Sequence, residues 1–205
     1  MRFFVLGANG NTGREFTDLA LAQGHQVTAF VRSPEKISRK DKGLTVLKGD
    51  PGNVESLVEA MKGHDVVIST LGTGGFAAFK PHDLLERMTP CMVAAMEKAG
   101  IQRVFFVSVG LLFKGGGLPA ALFRFLLRNN NEDSRMGEKA LTDSSLDWTI
   151  VRPPGLAKNN DESYHSLEGG IPPKAFRMSF RALAKFMLDS AEKQLHSRKV
   201  VGLAS

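Results

Sequence analysis

The apolar run Phe3-Phe4-Val5-Leu6 breaks off at Gly7-Ala8-Asn9-Gly10-Asn11-Thr12-Gly13, and Phe16, Leu19 and Ala20 come next at the spacing of one helix face. A buried strand that must turn straight into a helix has few ways to do so, and three glycines at intervals of three meet the need. Gly7 permits the tight turn, Gly10 lets a ligand come close to the main chain, and Gly13 lets the helix lie against the strand. The first turn of that helix offers N–H groups with no partner inside the helix, a natural seat for a phosphate. Turns rich in Gly and Asn are ordinary punctuation by themselves. The strand before and the helix after give this one its meaning.

The same alternation continues along the chain. Short apolar runs recur at Arg2 to Leu6, Gln26 to Val31, Leu44 to Leu47, Asp65 to Thr70, Arg103 to Val107 and Trp148 to Val151. Helical spacing appears between them, most clearly in Leu84, Leu85, Met88, Cys91, Met92, Ala95, Met96 and Ala99. Gly24 and Gly100 stand where helices end and strands are about to begin. Alternation of this kind predicts an α/β protein with a doubly wound, mostly parallel sheet, the Rossmann fold, and ligands bound at the carboxyl ends of the strands. With 205 residues, 42% of them hydrophobic and 23% charged, the chain is expected to form one domain over 1–205.

Two stretches interrupt the pattern, around 111–131 and 155–177, and are expected to be insertions that wall a substrate pocket. The first holds Leu118, Ala121, Leu122, Phe125 and Leu126 at helical spacing among Lys114, Arg124 and Arg128. It reads as a helix packing its apolar face on the domain, with a dimer contact or a membrane-surface contact as alternatives.

No apolar run approaches the roughly 20 residues of a membrane span, and the opening residues are too few and too soon interrupted for a signal peptide. The single Cys91 lies in the helical stripe, where it serves packing; it offers no disulfide and no metal site. A cytoplasmic protein is expected. The net charge of +6 is scattered and lacks interleaved aromatics, so nucleic acid is not the expected partner. A phosphorylated small molecule accounts for part of the charge, and solvated surface for much of the rest.

The choice of cofactor is written after the second strand. An NAD site usually carries Asp or Glu there to hold the ribose hydroxyls. Here the chain reads Val31-Arg32-Ser33-Pro34, and Lys36, Arg39 and Lys40 add charge nearby. The guanidinium of Arg32 is a planar fork suited to a 2′-phosphate, which favours NADP(H); alone, it is also an ordinary exposed charge opening a loop. Asp50, in Gly49-Asp50-Pro51, is placed either to accept from an adenine amino group or to cap the next helix. Leu71-Gly72-Thr73-Gly74-Gly75 comes after the fourth strand, where small residues let backbone approach a ribose. The expected cofactor contacts are thus Gly7, Asn9, Gly10, Asn11, Thr12, Gly13, Arg32, Asp50, Pro51, Leu71, Gly72 and Thr73.

Together with V-S-V-G at 107–110 and L-D-W-T-I-V-R-P-P at 146–154, these motifs resemble the atypical short-chain dehydrogenase/reductases, in the NAD(P)-binding group of NmrA-like and biliverdin IX-beta reductase or flavin reductase-like proteins. The resemblance covers nearly the whole chain. It implies that the nicotinamide lies near Ser108 and the Pro153-Pro154 loop, adding these three to the cofactor contacts and making Ser108 a candidate catalytic residue. The chain departs from the family at large in lacking its Tyr-x-x-x-Lys pair. The only tyrosine, Tyr164, sits beside His165 in a polar loop, where both read as surface features, and the corresponding helix reads Ser134-Arg135-Met136-Gly137-Glu138-Lys139, with Lys139 at the family's lysine position. Tetrapyrrole-reducing relatives carry a histidine after the paired prolines, where this chain has Gly155.

The expected activity is that of an NADPH-dependent reductase of a flat conjugated acceptor, a flavin or quinone, which needs no tyrosine because a proton can come from solvent. Phe113, Phe123 and Phe125 are candidates for lining its slot, and Lys114 or Arg124 for attracting an anionic acceptor. The alternative is a non-catalytic NADP(H) sensor of the NmrA-like type that acts through a partner. Action on a nucleotide-linked or terpenoid substrate stands third, since no second domain is evident. An oligomeric partner is left open.

Overall fold

The structure, a computed structural model, describes residues 1–73, 78–114, 117–173 and 176–205. Six strands form where the apolar runs lie: β1 (Arg2–Leu6), β2 (Gln26–Val31), β3 (Leu44–Lys48), β4 (Val66–Ser69), β5 (Arg103–Val107) and β6 (Asp147–Arg152). Helices α1 (Asn11–Ala22), α2 (Val54–Met61), α3 (Leu84–Ala99), α4 (Gly117–Leu126), α5 (Arg128–Thr142) and α6 (Phe180–Glu192) connect or flank them. The sheet runs β3-β2-β1-β4-β5-β6 in parallel, so the order reverses between β1 and β4, where a doubly wound sheet opens its crevice.

Four more strands lie beyond the six expected. β7 (Gly155–Ala157) and β9 (Arg177–Ser179) pair with each other, while β10 (Lys199–Ala204) extends the main sheet beside β6 and carries β8 (His165–Glu168) antiparallel at the edge. The stretch 155–177 therefore holds two short strands and the start of a third among its described residues, rather than being loop throughout.

Alternate residues of each strand serve opposite layers, as a period of two requires. Phe3 and Val5, with Val27, Ala29, Ile68 and Phe105, face α1 and α6; Phe4 and Leu6, with Phe30, Val67, Phe106 and Ile150, face the layer of α2, α3 and α5. Both faces are dry, which fixes the register of the strands and hence the height of the loops at their carboxyl ends.

α4 corrects one expectation. Its apolar stripe does not pack on the sheet: Leu118 is 87% exposed, Phe125 64% and Leu122 59%. The layer it would join is already filled by α3 and α5, and α4 rests mainly on α5 and the single turn of 3-10 helix at Gly110–Leu112. No described helix is long and apolar enough to cross a membrane.

Candidate functional site

Two clefts open along the carboxyl edge of the sheet. The first, of about 210 Å³, is lined by Gly7, Gly10, Arg32, Asp50, Pro51, Thr70, Leu71, Gly72, Leu84 and Met88, so it sits at the crevice between β1 and β4. Its floor is main chain. Gly7 adopts φ +84°, and its carbonyl accepts from Gly10 N at 2.9 Å to close the turn. A Cβ on Gly13 would stand 2.4 Å from that same carbonyl oxygen, so only glycine lets the loop fold back on α1. Gly10 caps α1 without a side-chain bond, and the first turn carries no acid. Its N–H groups therefore keep their capacity for an anion. Asn11 is exposed at this helix start and Thr12 is buried.

Asn9 ties the loop to the next strand by donating from Nδ2 to Ser33 O at 2.9 Å, while its Oδ1 is buried and without a partner among the described residues. Such an oxygen is costly in a closed protein and suits a group that takes a donor from a ligand. Arg32 is exposed at the cleft with no hydrogen bond or ion pair among the described residues. Arg39 differs: it is engaged with Asp18 and Asp41, which withdraws it from the expected cluster of spare charge, whereas Lys36 and Lys40 are exposed. Asp50 does not cap α2. That task falls to Asn53, whose side chain accepts from Ser56 N at 2.9 Å, and Asp50 instead accepts from Gly52 N within its own turn, at the cleft wall.

Leu71 and Gly72 line the cleft, but Thr73 turns away, its Oγ1 3.3 Å from Nδ1 of His82. The same His82 nitrogen lies 3.0 Å from Asp133 Oδ2, and Asp133 Oδ1 accepts from Leu85 N and Glu86 N, holding the start of α3. Gly74 and Gly75 lie outside the described residues.

The second cleft, about 610 Å³, lies past the ends of β5 and β6, against Leu111, Leu112, Phe113 and residues of α4 and α5. Ser108 N donates to Val151 O and Gly110 N to Pro153 O, both at 2.8 Å, so the turn at 110–112 is pinned to the end of β6. Ser108 is buried, and its Oγ donates to Glu138 Oε1 at 2.5 Å. Glu138, 7% exposed, also takes the fork of Arg152, with Nε at 2.9 Å. The Arg152 guanidinium in turn lies 4.8 Å from the Phe113 ring centre, so one side chain joins the Ser108 cluster to the cleft wall. Pro153 is buried and Pro154 half-buried beside them.

Neither Glu138 nor His82 with Asp133 was among the expected site residues. Glu138 precedes Lys139 by one position, and a carboxylate on the inner face of an otherwise polar helix is the signal that marks it. Lys139 itself points to solvent and pairs with Asp143 one turn on, so it is not beside Ser108. A rotation of 100° per residue decides which of two neighbours on α5 reaches inward. Tyr164 belongs to the opposite layer, where its ring packs edge-on against Phe186 and its hydroxyl donates to Asp189 at 2.7 Å. Burial and that carboxylate push its phenol above the ordinary range, unlike the lowered value a tyrosine proton donor requires. His165 is exposed on β8.

Comparison with known proteins identifies the family and the fold. A family described as NAD(P)H-binding matches residues 7–194. A sugar epimerase-like protein of Bacillus subtilis, YhfK, is 31% identical over 160 residues, covering 76% of this chain and 72% of that protein. A chloroplastic protein of Arabidopsis thaliana is 30% identical over 166 residues, 76% of this chain but 59% of its own length. Among solved structures, a wide-type short-chain dehydrogenase/reductase of Veillonella parvula in complex with NADP aligns over 100% of this chain and 94% of that one, with TM-score 0.81 at 23% identity, which establishes a shared fold.

Proposed function

Since the chain belongs to the NAD(P)H-binding family, an NAD(P)-binding and oxidoreductase-like group, we propose that it is an NADPH-dependent reductase of a flat conjugated acceptor such as a flavin or quinone. The observation that carries the reading is the arrangement at the ends of β5 and β6. There a buried hydroxyl, Ser108, is fixed by Glu138 beside an apolar wall, Leu111 to Phe113, tied to Pro153.

The residues divide the work. Backbone N–H groups at Asn11, Thr12 and Gly13 would hold the pyrophosphate, with Asn9 Oδ1 accepting from the ligand nearby. Arg32 would take the 2′-phosphate, Asp50 the adenine amino group, and Pro51, Leu71 and Gly72 the flanks of the adenosine. The Ser108 hydroxyl donates its hydrogen bond to Glu138, so its lone pairs are left to accept from a carboxamide; Pro153 and Pro154 would wall the ring. When bound, NADPH supplies a hydride and leaves as NADP⁺, and the acceptor gains that hydride and one proton from solvent. With Tyr164 in the other layer, the protein contributes position and exclusion of water rather than a tyrosine proton donor. The reading keeps 1–205 as one cofactor-binding domain acting in the cytoplasm.

The test is NADPH consumption with FMN, a quinone and a tetrapyrrole, with NADH in parallel. Acceptor-dependent turnover that prefers NADPH is expected. Arg32→Asp should weaken NADPH binding by about 10- to 100-fold, the worth of a charge-assisted bond, and spare NADH. Equal loss for both cofactors would remove Arg32 from the 2′-phosphate. The bare apolar stripe of α4 favours a second reading, a cofactor-dependent regulator docking a partner, which moves ahead if NADPH binds tightly and no acceptor is reduced.

A further inference from the structure

The second cleft is more basic than its own carboxylates offset. Lys114, Arg124, Arg128, Arg135 and Arg152 line it, against Glu132. Arg152 is neutralised by Glu138 behind the wall, and Arg135 shares Glu132 at 3.6 Å on open surface. Lys114 and Arg128 have no carboxylate within ion-pair distance among the described residues; the Arg128 guanidinium lies 5.1 Å from the Phe125 ring centre. Cations gathered in a concave site act together, because low-dielectric walls focus their field on whatever enters. Solvated cations scattered over a convex surface would not.

A second observation points to a ligand. Asn131, 7% exposed, lines the same cleft; its Nδ2 donates to Arg124 O, and its Oδ1 is buried with no partner among the described residues. A buried amide oxygen without a donor is destabilising until a donor arrives. Leu111, Leu112 and Phe113 supply apolar surface at the end nearest Ser108, and a volume of about 610 Å³ suits a molecule larger than an inorganic anion. Arg152 belongs to both parts, holding the carboxylate that accepts the Ser108 hydrogen bond while facing the cleft beneath Phe113.

Resting on the reductase reading, we propose that the acceptor is anionic. Its flat ring lies on the 111–113 wall beside Ser108, an oxyanion-bearing arm, phosphate or carboxylate, reaches Lys114 and Arg128, and an N–H or O–H on the arm meets Asn131 Oδ1. The positive charge of this chain is then partly a device of substrate choice.

Matched acceptors test it: FMN against riboflavin, which differ by the phosphate, and a naphthoquinone sulfonate against its parent naphthoquinone. In the wild-type protein kcat/KM should favour the charged member of each pair, and the preference should shrink as salt is raised. In Lys114→Glu/Arg128→Glu the preference for FMN over riboflavin should fall by about 10-fold or more, within the range of electrostatic steering. The milder Lys114→Gln/Arg128→Gln, which removes the charges without reversing them, should give an intermediate loss. Quenching of flavin fluorescence by the NADP⁺-loaded protein reads binding without turnover. Salt-sensitive FMN binding with no reduction of any acceptor would leave the anion site standing and overturn the reductase. Reduction of both members of each pair with the same salt response, unchanged by charge reversal, would overturn the anionic acceptor and leave the reductase. A preference for the sulfonate equal to that for FMN assigns recognition to the charge itself; a preference for FMN alone assigns it to the phosphate.

Discussion

The two clefts are built from different materials. At the first, the shape is made by main chain: a glycine at φ +84°, a helix start with no side-chain cap, and a backbone contact at Gly13 too close for any Cβ. At the second, Gly110 still has to lie close against Pro153 O, but the site is mainly an assembly of side chains, Arg152 on Glu138 on Ser108, backed by charged residues of α4 and α5. A backbone cradle tolerates change in nearly every side chain except hydrogen. A side-chain site can be retuned one residue at a time while the fold stays as it is, which is how one cofactor platform serves many acceptors.

The contrast breaks most readily at Gly13. Gly13→Ala sets a methyl 2.4 Å from Gly7 O and 2.8 Å from Ala8 Cα, both backbone, so the loop itself must move. We expect a loss of about 3 kcal/mol or more in thermal or chemical unfolding, and NADPH affinity lower by about 100-fold in a fluorescence titration. Gly10→Ala, whose Cβ meets only Gly7 O at 3.2 Å, should unfold close to wild type. If both substitutions were silent, the first cleft would not be a backbone device.

Glu138→Gln is the corresponding blow to the second cleft. It leaves the Arg152 guanidinium, whose side chain is 16% exposed, without its counter-charge, at a cost of about 2 kcal/mol. Turnover should fall by roughly 10-fold or more as Ser108 and Phe113 lose their support, while NADPH affinity falls by no more than about fivefold, the worth of one neutral bond from Ser108 to the carboxamide. An equal fall in cofactor affinity would show that Glu138 supports cofactor binding rather than turnover.

These materials also decide what could be read beforehand. The strands, the crevice and the cofactor loop were legible because each leaves a local mark: a period of two, a glycine after an apolar run, an arginine where a carboxylate usually stands. The Ser108 cluster leaves only a faint one, the inward carboxylate on α5, since its partners lie 30 and 14 residues apart in the chain and meet only through the packing of α5 on β5 and β6. β10 went unread for a similar reason. Gly202 interrupts Val200-Val201-Gly202-Leu203, and the structure shows why it is there: a Cβ would fall 2.0 Å from Gly170 O. In α4 the periodicity told which side chains share a face, and could not tell that the layer below was already occupied.

Tyr164→Phe sharpens the comparison from the other layer. Loss of the bond to Asp189 should cost about 1 kcal/mol and leave turnover untouched. The pH dependence has a definite sign. The phenol of the unfolded chain ionises near 10, and in the folded protein burial and Asp189 hold it higher, so the wild type keeps this stabilisation below about pH 10 and loses it as pH rises further. Tyr164→Phe should flatten that alkaline decline in urea midpoints. A change in turnover would return the tyrosine to the chemistry.

The smallest effect is the most discriminating. Lys139 comes directly after Glu138 and is the residue expected at the family's lysine position, yet its ammonium pairs with Asp143 on open surface, the two side chains 64% and 60% exposed. An exposed i,i+4 pair contributes at most about 0.5 kcal/mol and is screened by salt. Lys139→Ala should therefore leave unfolding within about 0.5 kcal/mol of wild type, and kcat/KM within about twofold at every pH where the protein is stable. Glu138→Gln, one residue earlier, removes a charge and no bulk and should do far more. If instead Lys139→Ala abolished turnover while Glu138→Gln spared it, α5 would have to turn in the working enzyme, and the site would be the family's lysine site after all.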